Sequence, residues 1–223
     1  FTEGDPPAVI DATATLVDPD SPDYDGGLLR VEVAGNGTTN DRLAVRHEGT
    51  AAGQVGVSGN NVTYGGITVG NFLGGTSGTD PLFVYFNANA DVAAVQAVMR
   101  NITFANTSST PSTAQRTVEF TVTDGDLGTS AAVTTTVDVT DLVFIDPVTT
   151  GYSRVVKGEN PKQFHNFEKD IASVGDFIRL YTTRYNRWVS PKFLAGESYG
   201  TTRSAGLSGY LQERHGMYLN GII

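Results

Sequence analysis

The sequence predicts two modules of different fold class: an all-β sandwich over residues 1–140, then a parallel β-α-β-α-β arrangement over 141–223. Three observations lead there. Charge is uneven: residues 1–140 carry 16 acidic and 5 basic side chains, and 141–223 carry 8 and 10. Short β-prone runs broken by turn residues fill the first part, whereas apolar runs and stretches of helical period alternate in the second. A G-x-S-x-G pentapeptide, Gly196-Glu197-Ser198-Tyr199-Gly200, stands between an apolar run and a helix-forming stretch. Such a shift in composition marks modules of different origin.

In the first module, Leu28 to Val33 alternates apolar and polar residues, as a half-buried strand does. Asn61-Val62-Thr63-Tyr64 and Ile67-Thr68-Val69 flank Gly65-Gly66, a hairpin signal. Pro81 to Phe86, Thr117 to Thr123 and the β-branched run Ala131 to Val139 are further strands. Asp91 to Arg100 breaks the pattern. It places Val92, Val95, Val98 and Met99 at helical spacing, with Asn89 or Asp91 as cap, and predicts a short helix packed on the sandwich edge.

Acidic residues cluster in the turns. Asp18-Pro19-Asp20 is followed by Asp23 and Asp25, Asp124-Gly125-Asp126 closes a later strand, and Glu3 sits near the start. Carboxylates two apart in a turn project to one side, and calcium takes six to eight oxygens, so Glu3, Asp18, Asp20, Asp124 and Asp126 are candidate calcium ligands. The plainer reading is a set of solvated turn aspartates.

These residues also carry a resemblance. Phe1-Thr2-Glu3-Gly4, Asp18-Pro19-Asp20-Ser21, Ala94-Val95-Gln96-Ala97, Arg100 to Thr107 and Val118 to Asp126 resemble one kind of cadherin-like repeat, found in tandem in large bacterial surface proteins and adhesins. The resemblance covers nearly all of residues 1–140. It implies a β-sandwich, an extracellular, cell-surface or periplasmic setting, calcium at repeat junctions, and neighbouring repeats or surface ligands as partners. Only one repeat is present, so a neighbour would have to finish any junctional ligand shell.

In the second module, Asp141 to Asp146 contains a continuous apolar run, the mark of a strand buried on both faces, which Pro147 ends. Asp170 to Tyr185 places Ile171, Val174, Phe177, Ile178 and Tyr181 on one helical face. Lys192 to Ala195 reads as a strand, Thr201 to Arg214 as a helix, and Met217 to Ile223 as the start of another strand. A strand entering a tight turn and leaving as a helix holds a serine in a strained backbone with its hydroxyl exposed, and small residues flank it where the backbones nearly touch.

Here Asp146 to Ser153, Lys192 to Gly200 and Gly209-Tyr210-Leu211-Gln212 resemble the serine carboxypeptidase family of α/β-hydrolases, across essentially all of residues 141–223. The resemblance implies Ser198 as nucleophile, the N–H of Tyr199 as an oxyanion-hole donor, and Glu197 as a carboxyl that binds the substrate's terminal carboxylate. Peptide C-termini are the implied substrates, with no cofactor. Sharing a proton between two carboxyl groups would suit an acidic optimum. Thr149 departs from the glycine usual at its place.

Physical limits follow. A serine nucleophile needs a base, and the base an orienting carboxylate. In this fold both follow the serine, yet no aspartate follows Ser198. Glu213 and His215 lie at the far end of the helix that starts at Ser198, about 20–25 Å away. His47, His165 and His215 read as surface or structural histidines, and Gly65-Gly66 and Gly74-Gly75 do not match the family's oxyanion loop. The second module is thus expected to be a truncated hydrolase fragment with a nucleophile but no base, and the chain to show negligible peptidase activity. Val137-Asp138-Val139-Thr140 meets Asp141 without a spacer, which reads as a chimera, an assembly artefact or a designed recombinant.

The alternative function is a calcium-dependent adhesion or spacer module with a hydrolase remnant. Cysteine is absent, which excludes disulfides and zinc–thiolate sites. The acidic first module argues against nucleic-acid binding. No apolar run reaches membrane-spanning length.

Overall fold

The computed structural model describes residues 1–223, which divide into two compact units, 1–142 and 143–223. No helix is long and apolar enough to cross a membrane.

Unit 1 is antiparallel throughout its strands. Its elements are β1 (Ala8–Val9), β2 (Leu28–Gly35), β3 (Asp41–Val45), β4 (Val55–Ser58), β5 (Asn61–Tyr64), β6 (Ile67–Ser77), β7 (Asp80–Phe86), α1 (Val92–Arg100), β8 (Ile102–Asn106), β9 (Arg116–Thr123) and β10 (Val133–Val137). One sheet has seven strands in the order β10-β9-β2-β7-β6-β5-β4, and the other three in the order β1-β8-β3. The period-two pattern explains the burial: in β9, Arg116, Val118, Phe120 and Val122 point inward and their neighbours outward. Leu43, Val45, Ile102 and Phe104 of the smaller sheet share one apolar cluster with Leu29, Val31, Leu82, Val84 and Val118 of the larger. The β5–β6 turn needs its glycines, since Gly65 and Gly66 have φ of 58° and 83°, the mirror-image turn that matches strand twist. Asp91 is the cap of α1; its Oδ1 accepts the Ala94 N–H at 2.8 Å, while Ala94, Val95, Val98 and Met99 are buried.

The two sheets are tied by a buried ion pair. Asp41 opens β3 in the smaller sheet and Arg116 opens β9 in the larger, and both side chains are fully buried. Arg116 Nε donates to Asp41 Oδ2 at 3.0 Å and a second guanidinium nitrogen to Oδ1 at 3.3 Å. The rest of the fork donates to the carbonyls of Ser112 and Ala114. Asp41 also accepts from the backbone N–H of Thr38 at 2.6 Å and from Asn106 Nδ2. A buried charge is tolerated only when paired and fully hydrogen-bonded, and this network meets that condition.

Unit 2 corrects the expected fold class. Its elements are a short 3-10 turn (Pro161–Phe164), α2 (Phe167–Arg184), β11 (Phe193–Leu194), α3 (Tyr199–His215) and β12 (Gly221–Ile222). The sheets of the chain are antiparallel except for one two-residue parallel pairing, Phe193 with Gly221 and Leu194 with Ile222. There is no β-α-β-α-β sheet over 141–223. Residues 141–146, expected as a buried strand, form no strand, and Phe144 is 87% exposed. A continuous apolar run becomes a strand only with partners at its edges and layers on its faces, and no strand pairs with this one.

The helices do form. Asn166 caps α2, accepting the Lys169 N–H at 2.8 Å, so the helix starts three residues before the expected Asp170. Glycines let α2 and α3 approach. A Cβ on Gly206 would meet the ring of Phe167 at 2.6 Å, and one on Gly175 the ring of Tyr210 at 2.6 Å. Ile171, Val174, Leu207, Leu211 and Met217 fill the seam. Asp170 of α2 and Arg203 of α3 pair across it at 2.8 Å.

Truncating either member of the buried pair leaves an uncompensated charge. Asp41→Ala or Arg116→Ala is expected to cost about 3–5 kcal/mol, whereas replacing both with apolar residues of similar volume costs far less. Chemical denaturation of the single and double variants measures this.

Candidate active site

The pentapeptide folds as a strand–turn–helix elbow. β11 leads in, Ser198 occupies the turn, and α3 leads out. The Thr201 N–H donates to the Ser198 carbonyl at 3.0 Å, and the Gly200 N–H to the Glu197 carbonyl at 2.8 Å, which closes the first turn. β12 braces the entry: the Gly196 N–H donates to the Ile223 carbonyl at 3.1 Å, and the Ile223 N–H to that of Leu194 at 2.8 Å. Ser198 has φ 56° and ψ −124°, a conformation that favours glycine and costs a serine about 1–3 kcal/mol. Its side chain makes no capping hydrogen bond and the residue is exposed. The hydroxyl is thus held out rather than spent on the helix.

The two flanking glycines differ. A Cβ on Gly196 would lie 2.2 Å from the Gly200 carbonyl oxygen and 2.8 Å from Ser204 Oγ, so the strand and helix backbones do nearly touch there. A Cβ on Gly200 would meet nothing within 4 Å, so packing in this unit does not require that glycine.

Around the serine the arrangement is sparse. Tyr199 is the first residue of α3, and its N–H is the one in the opening turn left without a backbone acceptor, since those of Gly200 and Thr201 donate to Glu197 and Ser198. The Arg203 guanidinium lies over the Tyr199 ring at 5.0 Å while paired to Asp170, a link between α2 and the elbow that sequence reasoning missed, because neither residue belongs to a motif. Glu197 is exposed, and no hydrogen bond or ion pair joins its carboxylate to another carboxyl. The histidines are engaged elsewhere. His47 Nδ1 accepts the Val57 N–H, His165 Nε2 meets Thr149 Oγ1 at 3.1 Å, and His215 Nε2 lies 3.3 Å from Asp176 at the other end of α3, roughly 24 Å along the helix. Thr149 has φ 77°, so the backbone there keeps the conformation a glycine would adopt freely.

The acidic residues occupy two places. Asp18 Oδ1 accepts the backbone N–H groups of Asp20 and Ser21, and Asp124 Oδ1 those of Asp126 and Gly128. The loops touch: a Cβ on Gly125 would meet the Asp25 carbonyl oxygen at 2.1 Å. Tyr24 lies between them. Burial, then its hydrogen bond to Asp18, then the charges of Asp18 and Asp124 push its phenol well above the ordinary range. Desolvation raises the Asp18 carboxyl, but hydrogen bonds from Ser21, Asp20 and Tyr24 outweigh it and hold it low. Glu3 is elsewhere. Its N–H donates to the Thr140 carbonyl, beyond Val137, which pairs with Arg116 at the start of β9. Asp124 follows the end of β9, an eight-residue strand about 24 Å long. The five expected ligands therefore do not meet, and no group of three or more His, Cys, Asp or Glu side chains is placed to hold a metal ion.

Comparison with family models, curated proteins and solved structures finds no match to this chain.

The elbow geometry separates its two glycines. Gly196→Ala is expected to lower the stability of unit 2 by about 1–3 kcal/mol through forced displacement of the helix start. Gly200→Ala is expected to be neutral or to add up to about 1 kcal/mol, since alanine suits a helix better. Thermal melts of both variants by circular dichroism check the contrast.

Proposed function

We propose that unit 2 carries a serine-carboxypeptidase-type nucleophile, Ser198, set on a formed elbow but without a general base in reach. The observation that carries this is the Ser198 backbone itself. A non-glycine residue at φ 56° between β11 and α3 is strained, and its side chain makes no capping hydrogen bond; it presents an exposed hydroxyl next to the Tyr199 N–H at the helix start. In this reading Ser198 would attack an acyl carbon, the Tyr199 N–H would stabilise the oxyanion, and Glu197 would face the terminal carboxylate of a peptide. No base takes the proton of the Ser198 hydroxyl, because His47 and His165 are bonded to other groups and His215 stands at the far end of α3. The chain alone is therefore expected not to hydrolyse a blocked dipeptide.

An added base tests the reading directly. Intact mass after treatment with a fluorophosphonate is expected to show little adduct in buffer and, with imidazole present, a single adduct formed about tenfold faster or more. Ser198→Ala should show none. Failure of imidazole to raise labelling, or equal labelling of Ser198→Ala, would overturn the proposal.

A second reading concerns unit 1. The convergence of the Asp18 and Asp124 loops on Tyr24 favours a calcium-dependent, cadherin-like surface repeat used for adhesion or as a spacer, in an extracellular, cell-surface or periplasmic setting. The carboxylates present do not make a full oxygen shell, so a neighbouring repeat would contribute the remaining ligands. At about 1 mM calcium, the upper end of the range for extracellular modules, the melting temperature of unit 1 is expected to rise, and Asp18→Ala or Asp124→Ala to remove the rise. A flat response in the unmodified chain excludes this reading.

A further inference from the structure

Away from the elbow, unit 2 has a second concave site. The segment 188–192 and the chain just after α3 border an open cavity of about 280 Å³ lined by Trp188, Val189, Pro191, Lys192, Tyr218 and Asn220, among others, with Tyr218 70% exposed at its rim. Its frame is fixed by a reciprocal clamp: the Lys192 N–H donates to Asn220 Oδ1 at 2.8 Å, and the Asn220 N–H to the Lys192 carbonyl at 2.7 Å. A further bond, from the Met217 N–H to the Leu211 carbonyl, anchors the opposite wall.

The cation in this site is unusual. Lys192 Nζ donates to the carbonyls of Trp188 and Ser190, each at 2.8 Å. An ammonium has three donors, so one remains. No ion pair engages it, and none of the residues lining the cavity is acidic. Burial with no compensating charge holds Lys192 below the ordinary lysine range. A partly desolvated ammonium held by two neutral acceptors gains from an anion brought to its third N–H. The walls specify the rest of that anion. Beside the polar backbone groups, Trp188 and Tyr218 offer ring surface that a flat body can stack on.

We propose that this cavity is a binding site for a small monocarboxylate with a flat apolar body, its carboxylate on Lys192 and its body against Trp188 and Tyr218. The proposal does not depend on the reading of Ser198.

Trp188 is the only tryptophan in the chain, so its fluorescence reports this cavity alone. The unmodified full chain is titrated with phenylacetate, and in parallel with phenylacetamide, which has the same shape without the charge. Phenylacetate is expected to give a saturable change with a dissociation constant on the order of 1 mM, as befits a small ligand. Phenylacetamide should bind at least about tenfold more weakly, the worth of one charge-assisted hydrogen bond. Lys192→Met, verified as folded by circular dichroism, should lose the preference for the acid. The proposal fails if quenching by phenylacetate is linear and unsaturable, if the amide binds as well as the acid, or if folded Lys192→Met binds phenylacetate unchanged. Should Lys192→Met not fold, the acid–amide comparison on the unmodified chain decides the matter.

Discussion

The buried pair of Asp41 and Arg116 is the constraint on which unit 1 depends. Apolar side chains in the interior pack without directional demands, so they permit one sheet to slide over another at modest cost. A bidentate ion pair does not. Arg116 must present its fork to Asp41, and Asp41 must at the same time accept from Thr38 and Asn106. These residues come from the starts of β3 and β9, the end of β8 and the turn before β3. The network thus sets how the three-stranded sheet lies on the seven-stranded one. Its contribution to net stability is small compared with that of the apolar cluster, because desolvation offsets the Coulomb attraction. What it supplies is a single arrangement.

That arrangement has a consequence for the acidic loops. With one end of β9 held by Arg116, the other end delivers Asp124 beside Asp18 and Tyr24, while Glu3 stays with Thr140 at the Arg116 end. Carboxylates at opposite ends of a sheet cannot share one ion. In the calcium reading each end would bind with its own partial shell, and a neighbouring repeat would add ligands to it.

Unit 2 rests on a different device. Gly175 and Gly206 let two helices come close enough for Asp170 to reach Arg203, and Arg203 in turn lies on Tyr199 beside Ser198. Gly196 lets the strand pass against the start of α3, and β12 braces that strand. The strain at Ser198 is therefore maintained by packing on both sides of it. Lys192, six residues earlier, is turned to the opposite use: its backbone joins the same small sheet region, while its ammonium is left with neutral partners.

Much was legible in the sequence because it rests on local chemistry. The Gly65-Gly66 hairpin, the Asp91 cap with its apolar stripe, the alternation in β9 and the elbow at Ser198 each depend on residues close in the chain, whose backbone preferences and periodicity hold regardless of context. The short strands β1, β3, β4 and β8 were not legible, because each is defined by its partner and not by its own pattern; β3 even begins with a buried aspartate. The run Leu142 to Ile145 shows the converse, since its apolar residues signal a strand that nothing in the chain pairs with. By itself, then, the sequence determined the two-part composition, the local turns and helices, and the identity of the exposed serine. Only the tertiary structure decided which charges are buried together, which carboxylates meet, and which apolar run becomes a strand. Those outcomes are properties of pairs of distant residues, and their free energy exists only once the partner is in place.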